Sequence, residues 1–148
     1  MSAADQSPLE SEAKAVTGFK VLQCNPVGSI TKIILFDTFD FEVRGRFGKL
    51  NFSSFPNLVH LDLGGCELGG NIPPQIGNLW TLRHLGLSTC NLSGELPPSL
   101  RNLTRLEFLH ISYNGIHGPI PSTLGQLTNL QSLCLSGNQI SESIPSEI

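Results

Sequence analysis

LVHLDLGGCELGGNIPPQIGNLWT, residues 58–81, is a 24-residue phrase that the chain repeats without insertion. The next two copies are LRHLGLSTCNLSGELPPSLRNLTR, residues 82–105, and LEFLHISYNGIHGPIPSTLGQLTN, residues 106–129. A fourth copy, LQSLCLSGNQISESIPSEI, occupies residues 130–148 and is incomplete. A fixed period in the twenties, with the pattern L-x-x-L-x-L-x-x-N/C-x-L in each copy, is typical of a solenoid in which the copies stack on one another.

Each copy is interpreted as a short strand, a turn and a return segment. In the second copy, Leu85 and Leu87 alternate around Gly86, as in a strand with one buried face. Proline cannot donate a ladder hydrogen bond, so the proline on the return side ends any strand there. No copy can bury its apolar face alone, and at least about three are needed for stability. The prolines concerned are Pro73, Pro97, Pro121 and Pro145.

The ninth position of each copy holds a residue that we expect to form hydrogen bonds inside the turn. It is occupied by Cys66, Cys90, Asn114 and Asn138. The chain bends there, so an inward polar side chain must satisfy backbone groups that no ladder reaches. Cys66 and Cys90 would stack about 4.8 Å apart, within disulfide range, but both thiols point the same way into the core. We therefore expect two thiols in the role of asparagine.

The strings NLSGELPPSLRNLTRL, residues 91–106, and GPIPSTLGQLTNLQSL, residues 118–133, closely resemble the plant-specific leucine-rich repeat, whose hallmark is L-x-G-x-[IL]-P. That class forms the ectodomains of plant receptor-like kinases and receptor-like proteins, and also the polygalacturonase-inhibiting proteins. The chain resembles the ectodomains of the receptor-like serine/threonine protein kinases most. This resemblance implies an α/β repeat fold, a leucine-rich repeat solenoid with a parallel concave β-sheet and plant-specific 24-residue repeats.

The resemblance also suggests how the chain is divided. Residues 1–29 are interpreted as the remnant of an N-terminal cap, residues 30–57 as an irregular first repeat, and residues 58–148 as four repeats, the last incomplete. The family cap usually carries a cysteine pair around a tryptophan, whereas this sequence keeps only Cys24 and Asn25. A short helix is predicted to begin near Ser7 and to end at Gly18. We interpret the chain as a fragment or abridged product of a longer parent.

Composition and charge restrict the possible partners. The 148 residues carry a net charge of −3 and only 14% charged residues, which gives no nucleic-acid or membrane signal. No run approaches the about 18 apolar residues that span a membrane. The N-terminus MSAADQSPLESEAK lacks the basic and apolar regions of a secretory signal, which favours a cytoplasmic location for the chain as written. The family resemblance instead implies the extracellular side of the plasma membrane, through a longer parent.

Three N-x-[ST] sequons support the secretory route, since this motif is the acceptor of N-linked glycans. Their asparagines are Asn51, Asn91 and Asn102.

Ligand contacts are expected on the outer face of the strands. The residues between the core leucines project onto the concave sheet, where neighbours in a column lie about 5 Å apart. This spacing suits an extended peptide that crosses the stack. The expected partner is a peptide or protein ligand, or a co-receptor ectodomain. The predicted contact residues are His60, Asp62, Arg83, His84, Glu107, Phe108, His110 and Tyr113.

Two chemical alternatives were weighed at the same surface. His110 and an exposed Cys134 would be a base and nucleophile, or zinc ligands together with His84. An open sheet offers no orienting third group, and zinc needs about four convergent ligands. We therefore expect no catalytic residue, no metal and no cofactor.

Three function classes follow. The first is a peptide- or protein-binding module from the extracellular region of a plant receptor-like kinase. The second is a secreted inhibitor or defence protein similar to a polygalacturonase inhibitor, with a truncated, non-signalling product as a further alternative. The third class, an enzyme, is rejected for this chain because the kinase motifs are absent from it.

Overall fold

A computed structural model of the protein describes residues 19–35, 47–141 and 143–148. The predicted helix between Ser7 and Gly18 lies outside these residues. The described chain begins with an antiparallel hairpin of β1 (Phe19–Cys24) and β2 (Ile30–Leu35). In its turn, Asn25 Oδ1 accepts hydrogen bonds from the backbone N–H groups of Val27 and Ser29, 3.2 and 2.9 Å away.

A six-stranded sheet forms one face of the solenoid. Its repeat strands are β3 (His60–Asp62), β4 (His84–Gly86), β6 (Phe108–His110) and β8 (Ser132–Cys134). The strand order is β1-β2-β3-β4-β6-β8, and every pair after the first is parallel. In β2, Ile30, Ile33 and Leu35 are buried, whereas Ile34 is half-buried. The predicted parallel sheet is confirmed.

A second, three-stranded parallel sheet lies on the return side. It consists of β5 (Ser93–Gly94), β7 (Gly115–Gly118) and β9 (Gln139–Ile140). This sheet was not predicted from the sequence. The prediction there was only that the proline on the return side ends any strand that precedes it. Gly94 has a φ of +76°, and a Cβ there would lie 2.5 Å from Asn71 Oδ1, so the backbone of this sheet favours glycine.

The return segment of each of the first three repeats forms a single short 3-10 helix. Those of the first three repeats are Pro74–Asn78, Pro98–Asn102 and Ser122–Gln126, and two more, Phe47–Lys49 and Phe52–Ser54, precede them. Proline lies at or beside the start of each repeat helix, where its fixed φ is favourable. No α-helix occurs in the described residues, so the helical half of the predicted α/β repeat consists of 3-10 turns. No helix there is long and apolar enough to cross a bilayer.

One continuous core runs through the stack. In the first three repeats the strand leucines and the return-segment apolar residues are almost fully buried, Leu85 and Leu109 completely. In the last repeat Leu133 is half-buried and Ile144 is exposed. Burial of such a side chain contributes about 1.5–3 kcal/mol. Phe47 and Phe52 pack edge to face in the opening segment, with ring centroids 5.8 Å apart. Both rings belong to the stretch of residues 30–57 that is interpreted from the sequence as an irregular first repeat.

Asparagine at the ninth position bonds the backbone of adjacent repeats, as predicted. Asn114 Nδ2 donates to the carbonyl oxygens of Leu87, Ile111 and Ser112 at 2.8–3.2 Å. Its Oδ1 accepts from the N–H groups of Cys90 and Leu92 at 2.9 and 3.0 Å. The Asn114 side-chain amide therefore links the turns of two adjacent repeats through hydrogen bonds.

The cysteines at the same position follow the expected thiol role. No disulfide joins Cys66 to Cys90, and both side chains are fully buried. The Cys90 thiol donates to the Leu63 carbonyl oxygen at 3.0 Å. Burial, followed by the neighbouring Cys66, raises the pKa of Cys90 to about 12.

Candidate functional site

The outward-facing side chains of the six-stranded sheet form the columns that the sequence predicts. Pairing places His60 beside His84, His84 beside Phe108, and Phe108 beside Ser132. A second column runs through Asp62, Gly86, His110 and Cys134. We call the described outward face of this sheet the concave face.

Aromatic and imidazole rings form a cluster in the middle of the concave face. The rings of His60 and His84 are parallel, with centroids 4.1 Å apart and 4° between their planes. His84 also contacts Phe108, at 5.9 Å, and His110 edge-on, at 5.5 Å. Phe108 and His110 lie 6.2 Å apart in a T-shaped arrangement. The structure therefore brings four of the predicted contact residues into one ring cluster.

Asp62 lies against this cluster and is held by its own turn. Its Oδ1 accepts a hydrogen bond from the Gly64 N–H at 3.0 Å, and its Oδ2 lies 3.9 Å from His84 Nε2. Gly86 makes room for the carboxylate, because a Cβ at this position would lie 2.5 Å from Asp62 Oδ1. Glycine at residue 86 therefore permits the position that the Asp62 carboxylate occupies.

Burial controls the charge of the two stacked histidines. It lowers the pKa of His60, and the neighbouring His84 and Lys32 lower it further. It also lowers the pKa of His84, although Asp62 acts in the opposite direction. Because burial outweighs the carboxylate, both imidazoles are neutral at pH 7, and the contact of His84 with Asp62 is not an ion pair at that pH.

Arg83 and Glu107 form an ion pair beside the ring cluster. Arg83 Nη1 lies 3.1 Å from Glu107 Oε1, across adjacent strands of the sheet. The Arg83 side chain is 59% exposed, so water screens the pair and its contribution to stability is at most about 1 kcal/mol. The guanidinium and carboxylate thus remain accessible at the edge of the cluster.

His110 and Cys134 do not form the nucleophile and base that were weighed from the sequence. His110 Nε2 lies 3.1 Å from the Ser132 hydroxyl, and that hydroxyl lies 3.6 Å from Cys134 Sγ. Each of the two side chains thus has the Ser132 hydroxyl as its hydrogen-bond neighbour. Cys134 is half-buried rather than exposed, which corrects the sequence prediction.

Tyr113 lies apart from the ring cluster. It occupies the turn after β6, is 68% exposed, and adopts a left-handed φ of +56°. Its ring packs over Gly137, where a Cβ would lie 2.5 Å from Tyr113 Cδ1. Of the eight predicted contacts, Tyr113 is therefore the one placed by a turn and not by the sheet or its flanking residues.

A shallow cavity of about 480 Å³ opens at the carboxyl ends of β3, β4 and β6. Asp62, His84 and His110, three of the predicted contact residues, line it. Sequence reasoning missed the turn residues that complete its wall: Gly64, Gly65, Ser88 and Thr89. Their position in the repeat could have identified them, since they occupy the turn that follows each strand.

The three sequon asparagines, Asn51, Asn91 and Asn102, are exposed, and none lies on a strand of the six-stranded sheet. Asn102 ends a 3-10 helix, and Asn91 precedes β5 of the second sheet.

A family model described as "Leucine-rich repeat region" matches residues 42–148. A chain of the solved BIR3–SERK2 complex from Arabidopsis thaliana is 31% identical in sequence to this chain, with a TM-score of 0.73. The match covers 89% of this chain and 68% of that chain. A TDR receptor structure is 38% identical, with a TM-score of 0.63, over 65% of this chain and 17% of that chain.

The plant peptide hormone receptor RGFR1 in complex with RGF2 is 42% identical, with a TM-score of 0.63, over 65% of this chain and 16% of that chain. The chain thus spans about a sixth of the length of the TDR and RGFR1 chains. No curated protein sequence matches the chain significantly. By its repeats, its parallel sheet and the family match, the chain belongs to the leucine-rich repeat proteins, and it is similar to the ectodomains of plant receptors.

Proposed function

We propose that this chain is a peptide- or protein-binding module from the extracellular ligand-recognition region of a plant receptor-like kinase. The observation that carries the proposal is the in-register concave face, on which rings, charges and hydroxyls form columns one strand apart. An extended chain laid across such columns meets a new side chain at each strand. Similarity to the RGFR1–RGF2 and BIR3–SERK2 structures supports both a peptide and a co-receptor ectodomain as partner classes.

The ring cluster supplies the apolar centre of the proposed interface. Partly buried aromatic side chains ringed by charges are typical of surfaces on which a few residues carry most of the binding energy. Phe108 and His84 fit this description, with Arg83 and Glu107 at the side. We include His60, Asp62, His110 and Tyr113 among the contacts, the last as a separate point at the turn edge.

The same proposal places the module outside the cell, within a longer protein. In it, residues 1–29 contribute a cap remnant, residues 30–57 an irregular first repeat and residues 58–148 the regular repeats. The exposed sequons support glycosylation at Asn51, Asn91 and Asn102. Since these asparagines lie off the six-stranded sheet, glycans there leave the concave face open.

The experiment presents the purified chain with two probes, a phage-displayed library of random 12-residue peptides and the SERK2 ectodomain. Peptides that are enriched are synthesised, and their affinity is measured by isothermal titration calorimetry. We expect Phe108→Ala to weaken binding by at least about tenfold, the effect of losing a contact worth more than 1 kcal/mol.

The matched control is His117→Ala. His117 is an exposed ring on β7 of the second sheet, away from the concave face, so its removal leaves binding unchanged. If neither probe binds, or if enriched peptides bind Phe108→Ala as tightly as the unaltered chain, the concave face is not the recognition surface. Circular dichroism establishes that each variant is folded.

A further inference from the structure

Three metal-ligating side chains converge on the concave face in a combination that the sequence analysis did not consider. His60, Asp62 and His84 each offer one donor atom, and these atoms all lie within 4.8 Å of one another. Within residues 19–35, 47–141 and 143–148, no other three His, Cys, Asp or Glu side chains meet this condition. The trio differs from the His84, His110 and Cys134 set weighed from the sequence.

The spacing of the donors is close to what a metal ion requires. Bonds of about 2.0–2.1 Å at tetrahedral angles place two ligand atoms about 3.4 Å apart. His84 Nε2 and Asp62 Oδ2 are already 3.9 Å apart, and the two imidazole rings are parallel at 4.1 Å. Each imidazole lone pair lies in its ring plane, so one of the two stacked rings must turn out of the stack for both nitrogens to face one ion. The donor atoms, all within 4.8 Å of one another, are near enough for this rotation to bring them together.

The carboxylate of the trio is oriented before any ion binds. The Gly64 N–H occupies Asp62 Oδ1 and leaves Oδ2 facing His84. Outer hydrogen bonds of this kind hold ligating side chains in place at metal sites. Gly86 contributes because it has no side chain, and a side chain there would push the Asp62 carboxylate away.

The protonation states also suit a metal. An imidazole binds a cation through the lone pair of its neutral form. Burial lowers the pKa of both His60 and His84, so both present this form at pH 7. Lys32, which pairs with His60 on the neighbouring strand, opposes a cation, and the Asp62 carboxylate offsets this charge. His110 faces His84 edge-on.

We propose that His60, Asp62 and His84 bind one divalent transition-metal ion, with Zn²⁺ as the representative of its class. Two imidazole nitrogens and one carboxylate oxygen suit Zn²⁺, Ni²⁺ or Cu²⁺, whereas Ca²⁺ and Mg²⁺ require mainly oxygen ligands. The trio lies on an open face, so further coordination positions are available to water or to a donor group from a partner. The same three residues are among the proposed peptide contacts, but the metal proposal does not rest on peptide binding, and its test uses Zn²⁺ alone.

The test titrates the purified full chain with Zn²⁺ alone at pH 7.5 and measures the heat of binding. We expect one ion per chain. We expect His84→Ala and Asp62→Asn to bind Zn²⁺ at least about tenfold more weakly. Removal of even an outer-shell hydrogen-bond partner weakens metal binding by about tenfold or more, and these variants remove a ligand atom itself. Gly86→Ala is expected to weaken binding similarly, although it removes no donor atom, because its Cβ displaces the carboxylate.

The controls are His117→Ala and Cys24→Ser, which remove exposed donors elsewhere on the chain. An imidazole NMR spectrum of the unaltered chain needs no variant, and in it the His60 and His84 signals shift with Zn²⁺ while the His117 signal does not. The proposal is overturned if the unaltered chain does not bind Zn²⁺, or if the His117 signal shifts in place of the other two. It is also overturned if folded His84→Ala binds as tightly as the unaltered chain.

Discussion

The imidazole of His60 lies flat against that of His84, with 4.1 Å between ring centroids and 4° between ring planes. Two protonated rings in this position would repel each other, and burial further disfavours their charged forms. Burial is the largest cause of the lowered pKa of each ring. The stack is therefore an arrangement of neutral histidines whose stability depends on pH.

This stack predicts that the chain loses stability on acidification near the histidine range. The folded-state pKa of each ring lies below the unfolded value of about 6.5, so the unfolded chain binds more protons in that window. The stabilisation is complete above about pH 6.5 and is lost as the pH falls through the folded-state pKa values.

Urea denaturation at a series of pH values between 7.5 and 5 measures the effect. We expect His84→Gln to depend less on pH in this window than the unaltered chain, whereas His117→Gln, on the second sheet, matches it. Identical pH dependence in all three proteins would show that the stacked rings do not control the acid sensitivity.

The asparagine ladder predicts a graded loss of stability. Asn114 bonds five backbone groups, and Asn138 bonds three. Asn114→Leu leaves those backbone groups without their hydrogen-bond partner, and each unsatisfied buried group costs about 1–3 kcal/mol. We expect the free energy of unfolding to fall by about 3 kcal/mol or more. Asn138→Leu, in the less buried last repeat, should cost less when both are measured by urea denaturation, and equal losses would contradict the ladder account.

Backbone strain at Thr89 predicts a stabilising substitution. The eighth residue of every repeat has a left-handed φ, and at Thr89 it is +57° in a β-branched residue. This conformation costs about 1–2 kcal/mol for a residue with a side chain, and glycine avoids it at an entropic cost of about 0.5–1 kcal/mol.

Thr89→Gly is therefore expected to raise the free energy of unfolding by about 0.5–1 kcal/mol. The control, Asn91→Gly, relieves little strain because asparagine tolerates its left-handed φ of +55°. A decrease for Thr89→Gly in thermal or urea unfolding would show that the threonine side chain makes compensating contacts.

Cysteine burial predicts selective thiol reactivity. Cys24 is exposed and Cys134 half-buried, whereas Cys66 and Cys90 are buried. The pKa of about 12 leaves Cys90 protonated at pH 8, and the thiolate is the reactive form. With a chromogenic disulfide reagent at pH 8, we expect Cys24 to react first, and Cys66 and Cys90 to react only after unfolding. Cys24→Ser should remove the fast phase, and rapid reaction of Cys90 in the native chain would contradict the packing described.

The sequence was sufficient to predict the repeat strands of the six-stranded sheet, their register and the hydrogen-bonding role of the ninth position. A repeat without insertions fixes which residues become neighbours, so His60, His84 and Phe108 had to share a column. The burial of Leu85 and Leu109 follows from the same alternation.

The arrangement of side chains within the columns was not predictable in this way. Register fixes the distance between backbones, but not the torsion angles that make the His60 and His84 rings parallel. The contact between Asp62 and Gly64 depends on a local turn, and the space for it depends on Gly86 one strand away. The second sheet escaped prediction because its strands, such as Ser93–Gly94, are too short for a periodic signal.

The four histidines allow a direct test of the concave face as the recognition surface. His60, His84 and His110 lie on that face, and His117 lies on the second sheet. A ¹⁵N-edited imidazole NMR titration, with a synthetic peptide enriched from the displayed library as the probe, reports on all four rings at once. We expect the three concave signals to shift in a saturable manner while the His117 signal stays fixed. A peptide that binds but shifts only His117 would contradict the account.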